Sequence, residues 1–227
     1  MKFTFDERPS DSPLVERVWH TRSEGEAEGA FTSTAVSHGE LVFTRQRGSV
    51  GAVLRGPETK ATLAPVPGDA EMFGLKFRLG TFLPHLPTSK RVDGALVLPG
   101  ASANAFWLNG SAWPFPDFED ADTFVDRLAR TGLLARDPIV EAALRGEPAD
   151  LSARSVQRRF LQATGLTHGA IRQIEQARQA AALLEQGVPI PDVVYLAGYF
   201  DQPHLTRAMK HRIGRTPAQL TRASSPG

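Results

Sequence analysis

The sequence predicts an α+β protein with an N-terminal antiparallel β barrel or sandwich and a C-terminal all-α domain. Apolar residues occupy every second position of Phe73–Leu79, which indicates a half-buried strand. Proline and glycine separate short β-rich runs between residues 31 and 108, as in small antiparallel barrels and sandwiches. Beyond residue 137, helix-start and helix-stop signals follow one another instead. The predicted domains are therefore 1–135 and 136–227.

Local patterns define the individual elements. Ser152 is a favourable N-cap, and Gly165 is well placed to end the helix that Ser152 begins. The pair Thr216-Pro217, with Gln219 behind it, combines an N-cap with a proline in the first turn. The predicted strands beside Phe73–Leu79 are Glu40–Arg45, Ser49–Arg55, Ala95–Leu98 and Ala105–Leu108, and the predicted helices are Glu119–Leu134, Pro138–Arg145, Ala153–Ala163, 168–186, Pro191–Ala197, Gln202–Ile213 and one that begins at Pro217.

Composition excludes several classes of protein. The 227 residues include no cysteine, which excludes disulfides, zinc fingers and thiol catalysis. No apolar run approaches the ~20 residues that a membrane-spanning helix needs, and acids and a proline interrupt the N-terminus where a signal peptide would be apolar. We therefore expect a cytoplasmic protein without a membrane partner.

Charge is unevenly distributed along the chain. The net charge of the whole chain is only +1, but residues 151–227 hold ten Lys and Arg against four Asp and Glu, which gives +6. The preceding residues hold 16 bases and 21 acids, which gives −5. A short basic module joined to a larger acidic one is typical of a nucleic-acid-binding domain attached to a domain of another kind.

Two of the predicted helices form a helix-turn-helix pattern. Pro191–Ala197 and Gln202–Ile213 are separated by a four-residue turn that contains Gly198. The second helix has an apolar face, which would pack against its scaffold, and a polar face, whose donors could reach base edges in a major groove. The apolar face holds Leu205, Ala208, Met209 and Ile213, and the polar face holds Gln202, His204, Thr206, Arg207 and Lys210, the last placed for a phosphate.

The predicted helix after Ser152 has the same division. Val156, Phe160 and Ala163 share its apolar face, whereas Arg154, Gln157 and Arg158 share the opposite face. Arg159 lies at the side of the helix, where a contact with phosphate is favoured. The helix that connects the two candidate recognition helices would be roughly 30 Å long, and successive major grooves are ~34–36 Å apart. One chain could therefore read two adjacent grooves.

These segments resemble the AraC/XylS family of transcription regulators. The first match is the run from Leu151 to Phe160 with Thr164-Gly165-Leu166, and the second is Ala197–Arg207 with Ile213-Gly-Arg-Thr-Pro217. The resemblance covers residues 137–222 and implies a double helix-turn-helix domain that binds double-stranded DNA. It implies DNA contacts by Arg154, Gln157, Arg158, Gln202, His204, Thr206, Arg207 and Lys210. A small effector, RNA polymerase and a second copy of the chain are further candidate partners.

The same resemblance implies a cupin-like N-terminal domain for effector binding or dimerisation. Phe77, Phe106, Trp107 and Trp113 could line an effector pocket, although an aromatic core is the favoured use of such residues. A metal-binding cupin would need a His-x-His pair, and His38-Gly39-Glu40 supplies one histidine and one carboxylate. We therefore predict no metal, no cofactor and no catalytic residue. The alternatives are a cupin-type metalloenzyme, or a sensor whose helices bind protein.

Overall fold

The computed structural model describes residues 2–25, 29–148 and 151–224. Its strands, numbered in chain order, are β1 Lys2–Pro9, β2 Val15–Glu24, β3 Ala30–Ser33, β4 Glu40–Gln46, β5 Ser49–Arg55, β6 Thr62–Pro65, β7 Ala70–Phe77, β8 Thr81–Phe82, β9 Ala95–Leu98, β10 Gly100–Ser102, β11 Ala105–Leu108, β12 Ser111–Pro114 and β13 Ala135–Arg136. Its helices are α1 Ala121–Arg130, α2 Pro138–Leu144, α3 Ala153–Thr164, α4 His168–Glu185, α5 Ile190–Leu196, α6 Gln202–Arg212 and α7 Pro217–Ser224, with a 3₁₀ helix at Thr88–Arg91.

The first half of the chain is rich in antiparallel sheet. Six strands pair in the order β1-β2-β7-β4-β5-β9, and β10, β11 and β12 form a second sheet. The inner face of the large sheet packs around fully buried side chains such as Leu41, Leu75 and Phe77. Helix α1 closes this core with Phe124, which packs edge-on against Phe43. The predicted α+β class is thus confirmed.

The first two strands are absent from the sequence prediction. In β2 the buried residues Val15 and Val18 are three positions apart, and a bulge shifts the register between Val15 and Arg17. The bulge hides the alternation on which a strand prediction depends. The predicted helix Glu119–Leu134 was also too long: α1 ends at Arg130, and Gly132, with a φ of +70°, turns the chain so that Leu134 is buried.

The chain divides into two compact units. The first comprises Met1–Gly29, His38–Pro57 and Pro65–Thr167, and the second comprises Ala30–Ser37, Glu58–Ala64 and His168–Gly227. Helices α2 and α3 belong to the first unit because α3 packs against α2, β8 and the 3₁₀ helix. Compactness does not define a functional domain, and the division at residues 135 and 136 stays a prediction. In the described part of the chain, none of the helices combines the length and apolar character required to cross a bilayer.

Candidate nucleic-acid interface

Helices α5 and α6 and the turn between them have the predicted helix-turn-helix geometry. The turn starts at Ala197, and Gly198 adopts a φ of +70° that a residue with a side chain rarely takes. Asp201 is the N-cap of α6, and its Oδ1 accepts a hydrogen bond of 2.6 Å from the backbone N–H of His204. The backbone of this motif is therefore fixed by local interactions at both helix ends.

The two faces of α6 are divided as the sequence predicted. Leu205 and Met209 are completely buried and Ile213 is nearly so, in a core shared with α4, α5 and α7. On the other side of the helix, Gln202, His204, Arg207 and Lys210 are exposed, and Thr206 is half-buried. The apolar face holds the helix rigidly, and the polar face is available to a partner. That these side chains contact DNA stays a prediction.

Helix α4 supports the turn of this motif. The side-chain amide of Gln176 donates hydrogen bonds to the backbone carbonyls of Ala197 (2.9 Å) and Gly198 (3.0 Å). Tyr199 is buried beside them, and the His204 ring packs edge-on against the Tyr199 ring, with 5.1 Å between centroids. Burial raises the pKa of the Tyr199 phenol, although nearby Arg212 opposes this effect. The turn is thus anchored to a rigid helix.

Two short segments from the first half of the chain hold the C-terminal end of α6. The N–H of Ala35 donates to the carbonyl of Arg212 (2.7 Å), and the N–H of Ala61 donates to the carbonyl of His211 (2.8 Å). The last carbonyls of a helix have no partner within the helix, so these bonds supply partners for two of them. The first of these segments also packs so closely that Gly214 has no space for a side chain, because a Cβ there would lie 2.7 Å from the Thr32 side chain.

Helix α3, the other candidate recognition helix, has the predicted caps and faces. The Oγ of Ser152 accepts from the N–H of Ser155 (3.3 Å), and Gly165 ends the helix with a φ of +74°. Phe160 and Ala163 are buried, whereas Val156 is only half-buried. Arg154, Gln157 and Arg158 are exposed and line a groove of about 730 Å³ together with Ser89 of the 3₁₀ helix.

The two candidate recognition helices lie in different compact units. Helix α4, which connects them, has 18 residues and is therefore about 27 Å long. This length is close to the predicted one. The simultaneous reading of adjacent grooves stays a prediction, because it depends on the placement of α3 relative to α6.

Four exposed cations of these two helices lack acidic partners among the described residues. Within the described residues, no carboxylate oxygen lies within 4.0 Å of the charged groups of Arg154, Arg158, Arg207 or Lys210. Arg159 differs, because its guanidinium forms an ion pair of 3.2 Å with Asp137, the N-cap of α2. A phosphate contact by Arg159 would therefore compete with an internal ion pair. Cations that are not neutralised inside the protein are typical of surfaces that bind phosphates.

The first unit contains a separate pocket of about 330 Å³ beside Phe43 and Phe73 of its core. Rings of Phe43, Phe73, Phe115 and Phe118 line it, and Glu71 lies at its polar side. His20 contacts Glu71 at 2.9 Å. Burial would raise the pKa of the Glu71 carboxyl, but this hydrogen bond and the positive charges of Arg22 and Arg45 outweigh burial and lower it. The pocket thus combines an aromatic wall with a carboxylate that is paired with His20, Arg22 and Arg45.

The aromatic residues that the sequence suggested for an effector pocket lie elsewhere. Phe77, Phe106 and Trp113 are buried, which confirms that these three residues form part of an aromatic core, whereas Trp107 is 45% exposed. His38 and Glu40 contact each other at 3.7 Å. Among residues 2–25, 29–148 and 151–224, no group of three or more histidine and carboxylate side chains is arranged to hold a metal ion.

Comparison with known proteins agrees with the geometry of the second half of the chain. Residues 147–223 match the family model described as a helix-turn-helix domain. A stretch of 91 residues, 39% of this chain, is 33% identical to the HTH-type transcriptional regulator RipA of Corynebacterium glutamicum. The match spans only 28% of the length of RipA.

Solved structures give a more distant likeness. Two crystal structures of ToxT from Vibrio cholerae each superpose with a TM-score of 0.40 and 8% sequence identity. One superposition covers 96% of this chain and 100% of ToxT, and the other covers 98% and 99%. A likeness at this level supports no conclusion about function.

Proposed function

We propose that this chain, whose C-terminal region carries an AraC-type helix-turn-helix domain, is a transcription regulator that binds specific sites in double-stranded DNA. The observation that carries the proposal is the polar face of α6, where Arg207 and Lys210 are exposed and without acidic partners in the described residues. A helix held by a buried apolar face, with donors on its free face, suits the major groove. The name of RipA supports the same assignment.

The residues of α6 would have two kinds of role. Arg207 can form a bidentate pair with guanine and Gln202 with adenine, while Thr206 can contact a thymine methyl. His204 lies in the same N-terminal turn of the helix as Gln202. Lys210, one turn beyond Thr206, is placed for the phosphate backbone, which positions the protein without reading sequence.

Helix α3 would form the second reading surface. Arg154, Gln157 and Arg158 are its exposed candidates, and their proposed contacts lie in the groove next to the one that α6 reads. On this proposal residues 136–227 act together on DNA, and residues 1–135 serve another purpose. Binding sites would then be extended, with two blocks of preferred bases.

Selection of bound fragments from the source genome, followed by mobility shifts, tests the proposal. We expect Arg207→Ala to weaken specific binding by ~1–3 kcal/mol and to relax the preference at one base pair. Lys210→Ala should weaken binding to all sequences, and the slope of log affinity against log salt should become shallower by about 0.9. Arg130→Ala is the control, because Arg130 is 76% exposed on α1, in the first unit. An unchanged footprint and affinity for Arg207→Ala would contradict the assignment.

A small effector would bind in the pocket of the first unit. Its volume of about 330 Å³ lies at the lower end of the range for small-molecule sites, roughly 300–1,000 Å³. Four phenylalanine rings offer an apolar body a stacking surface, and the His20–Glu71 pair offers hydrogen bonds to a polar end. Contacts with RNA polymerase, formation of a homodimer and a cytoplasmic location belong to the same proposal.

A further inference from the structure

A third concave surface lies beside the polar face of α6. It is a groove of about 560 Å³ between α4 and α6, entirely within the second unit. Three arginines and two histidines line it: Arg172 from α4, and His204, Arg207, His211 and Arg212 from α6. Among the described residues, no aspartate or glutamate contributes to its lining. The groove is therefore a concentrated positive surface.

The carboxylate of α4 closest in sequence to Arg172 is engaged elsewhere. Glu175 accepts a hydrogen bond of 2.5 Å from the Oγ of Ser37 and contacts the guanidinium of Arg178 at 3.9 Å. Arg172 itself is exposed, and within the described part of the chain no carboxylate oxygen lies within 4.0 Å of its guanidinium. Its charge is thus available to a ligand in the groove.

The rest of the groove is built from ordered donors. Arg212 is fixed by a hydrogen bond of 2.7 Å from its guanidinium to the side-chain oxygen of Gln173. Two buried donor atoms of the lining residues, Nε of Arg212 and Oη of Tyr199, have no hydrogen-bond partner in the described structure. Buried polar atoms are usually satisfied. The Nε of Arg212 can only donate, whereas the Tyr199 hydroxyl can donate or accept, so this wall lacks at least one acceptor. An anionic oxygen is the complementary ligand.

We infer that this groove binds a backbone phosphate of DNA and that Arg172 is a further DNA-contacting residue. The inference rests on the proposed function, because it assumes that α6 lies on DNA. Arg207 and His204 belong both to the groove and to the polar face of α6, so a duplex in contact with that face brings its backbone to the groove. Helix α4 then contacts the DNA backbone in addition to connecting the two candidate recognition helices.

Free inorganic phosphate would satisfy the same chemistry, but we favour the duplex. The groove includes Arg207 of the polar face of α6, and three arginines exceed what one small dianion needs. A contact to the backbone carries no base information. Arg172 should therefore add affinity without altering sequence preference, which distinguishes its effect from that of Arg207.

The test compares Arg172→Ala, Arg172→Lys and the control Arg130→Ala in the full chain, on a selected fragment and on an unrelated duplex. Loss of one phosphate contact lowers the salt slope by about 0.9. The ratio of wild-type to Arg172→Ala affinity should therefore shrink about threefold between 50 and 200 mM salt, equally for both duplexes. Arg172→Lys should keep the wild-type slope, and circular dichroism should show unchanged folding.

Each outcome is decisive. A wild-type salt slope for Arg172→Ala, in a protein whose specificity still depends on Arg207, overturns the inference and leaves the proposed function intact. Saturable binding of inorganic phosphate by calorimetry, lost in Arg172→Ala while DNA binding is unchanged, overturns it in favour of a free anion. Absence of DNA binding by the wild-type chain would instead refute the proposed function itself.

Discussion

The N-cap of α6 gives a prediction that connects local structure with DNA binding. In the first turn of α6, Pro203 has no N–H, and the N–H of Leu205 is bonded to the carbonyl of Asp201. Among residues 202–205, the N–H groups of Gln202 and His204 therefore need an acceptor outside the helix backbone, and Asp201 serves the second of them. Asp201→Ala removes that acceptor and should lower the free energy of unfolding by about 1 kcal/mol.

The effect of Asp201→Ala on DNA affinity has two opposing parts. Loss of the cap loosens the turn that carries Gln202 and His204, and a cost of 1 kcal/mol corresponds to about a fivefold change in an equilibrium. Loss of the negative charge near the proposed interface favours DNA, because Asp201 repels phosphates. Asp201→Asn separates the two parts, since asparagine caps a helix as well as aspartate does but carries no charge.

Urea denaturation and mobility shifts on a selected fragment measure both parts. We expect Asp201→Asn to match the wild type in stability and to equal or exceed it in DNA affinity. Asp201→Ala should be about 1 kcal/mol less stable than Asp201→Asn and should bind DNA up to fivefold more weakly. If the two variants behave alike in both assays, the cap does not support the proposed recognition helix.

Two further predictions concern the first unit. Burial would raise the pKa of Asp122, but hydrogen bonds from Ser10 and Arg8 outweigh burial and lower it. The Asp122 carboxylate therefore stabilises the fold at any pH above the pKa that it has in the unfolded chain. This stabilisation is lost as the pH falls through the pKa of Asp122 in the folded state. Asp122→Asn should therefore lower the free energy of unfolding by about 1–3 kcal/mol at pH 7. In acid titration this difference from the wild type should begin to shrink near pH 4, the ordinary range of an aspartate, and should vanish only below the lowered pKa of the folded state; a constant difference would contradict this. A small molecule that fills the aromatic pocket at 100 times its Kd should stabilise the wild type by about 2.7 kcal/mol. Thermal shift should show that Phe118→Ala loses this effect and that Trp107→Ala keeps it, and an equal shift in both variants would place the ligand elsewhere.

The helical part of the molecule was largely predictable because its signals are local. The residues that cap α6 and end its turn lie within four positions of the bonds that they make, as Asp201 does with His204. The apolar stripe of α6 also repeats at the helical period, so Leu205 and Met209 could be assigned to the core before the structure was known. Predicted helix bounds in this half accordingly differ from the observed ones by one residue or less.

The contacts that were not predicted join residues distant in the sequence. Ala35 and Ala61 donate to the last carbonyls of α6 from more than 140 positions away, and neither residue has a side chain that marks such a role. Backbone donors carry no residue-specific signal, so no pattern in the sequence could have identified them. The bulge in β2 is similar, because it is a shift of register against residues of β7 that lie more than 50 positions away in the sequence.

Arg172 shows that contacts between residues distant in the sequence also decide the composition of the candidate site. The sequence predicts α4 only as the helix that connects the two candidate recognition helices, because a single arginine on a helix surface is usually solvated. The positive groove exists because α4 packs against α6 and brings Arg172 to the same surface as His204 and Arg207. Local periodicity determines which side of each helix is polar, but only tertiary packing determines which polar sides share a ligand. A phosphate site assembled from two helices therefore becomes visible only when the packing is known.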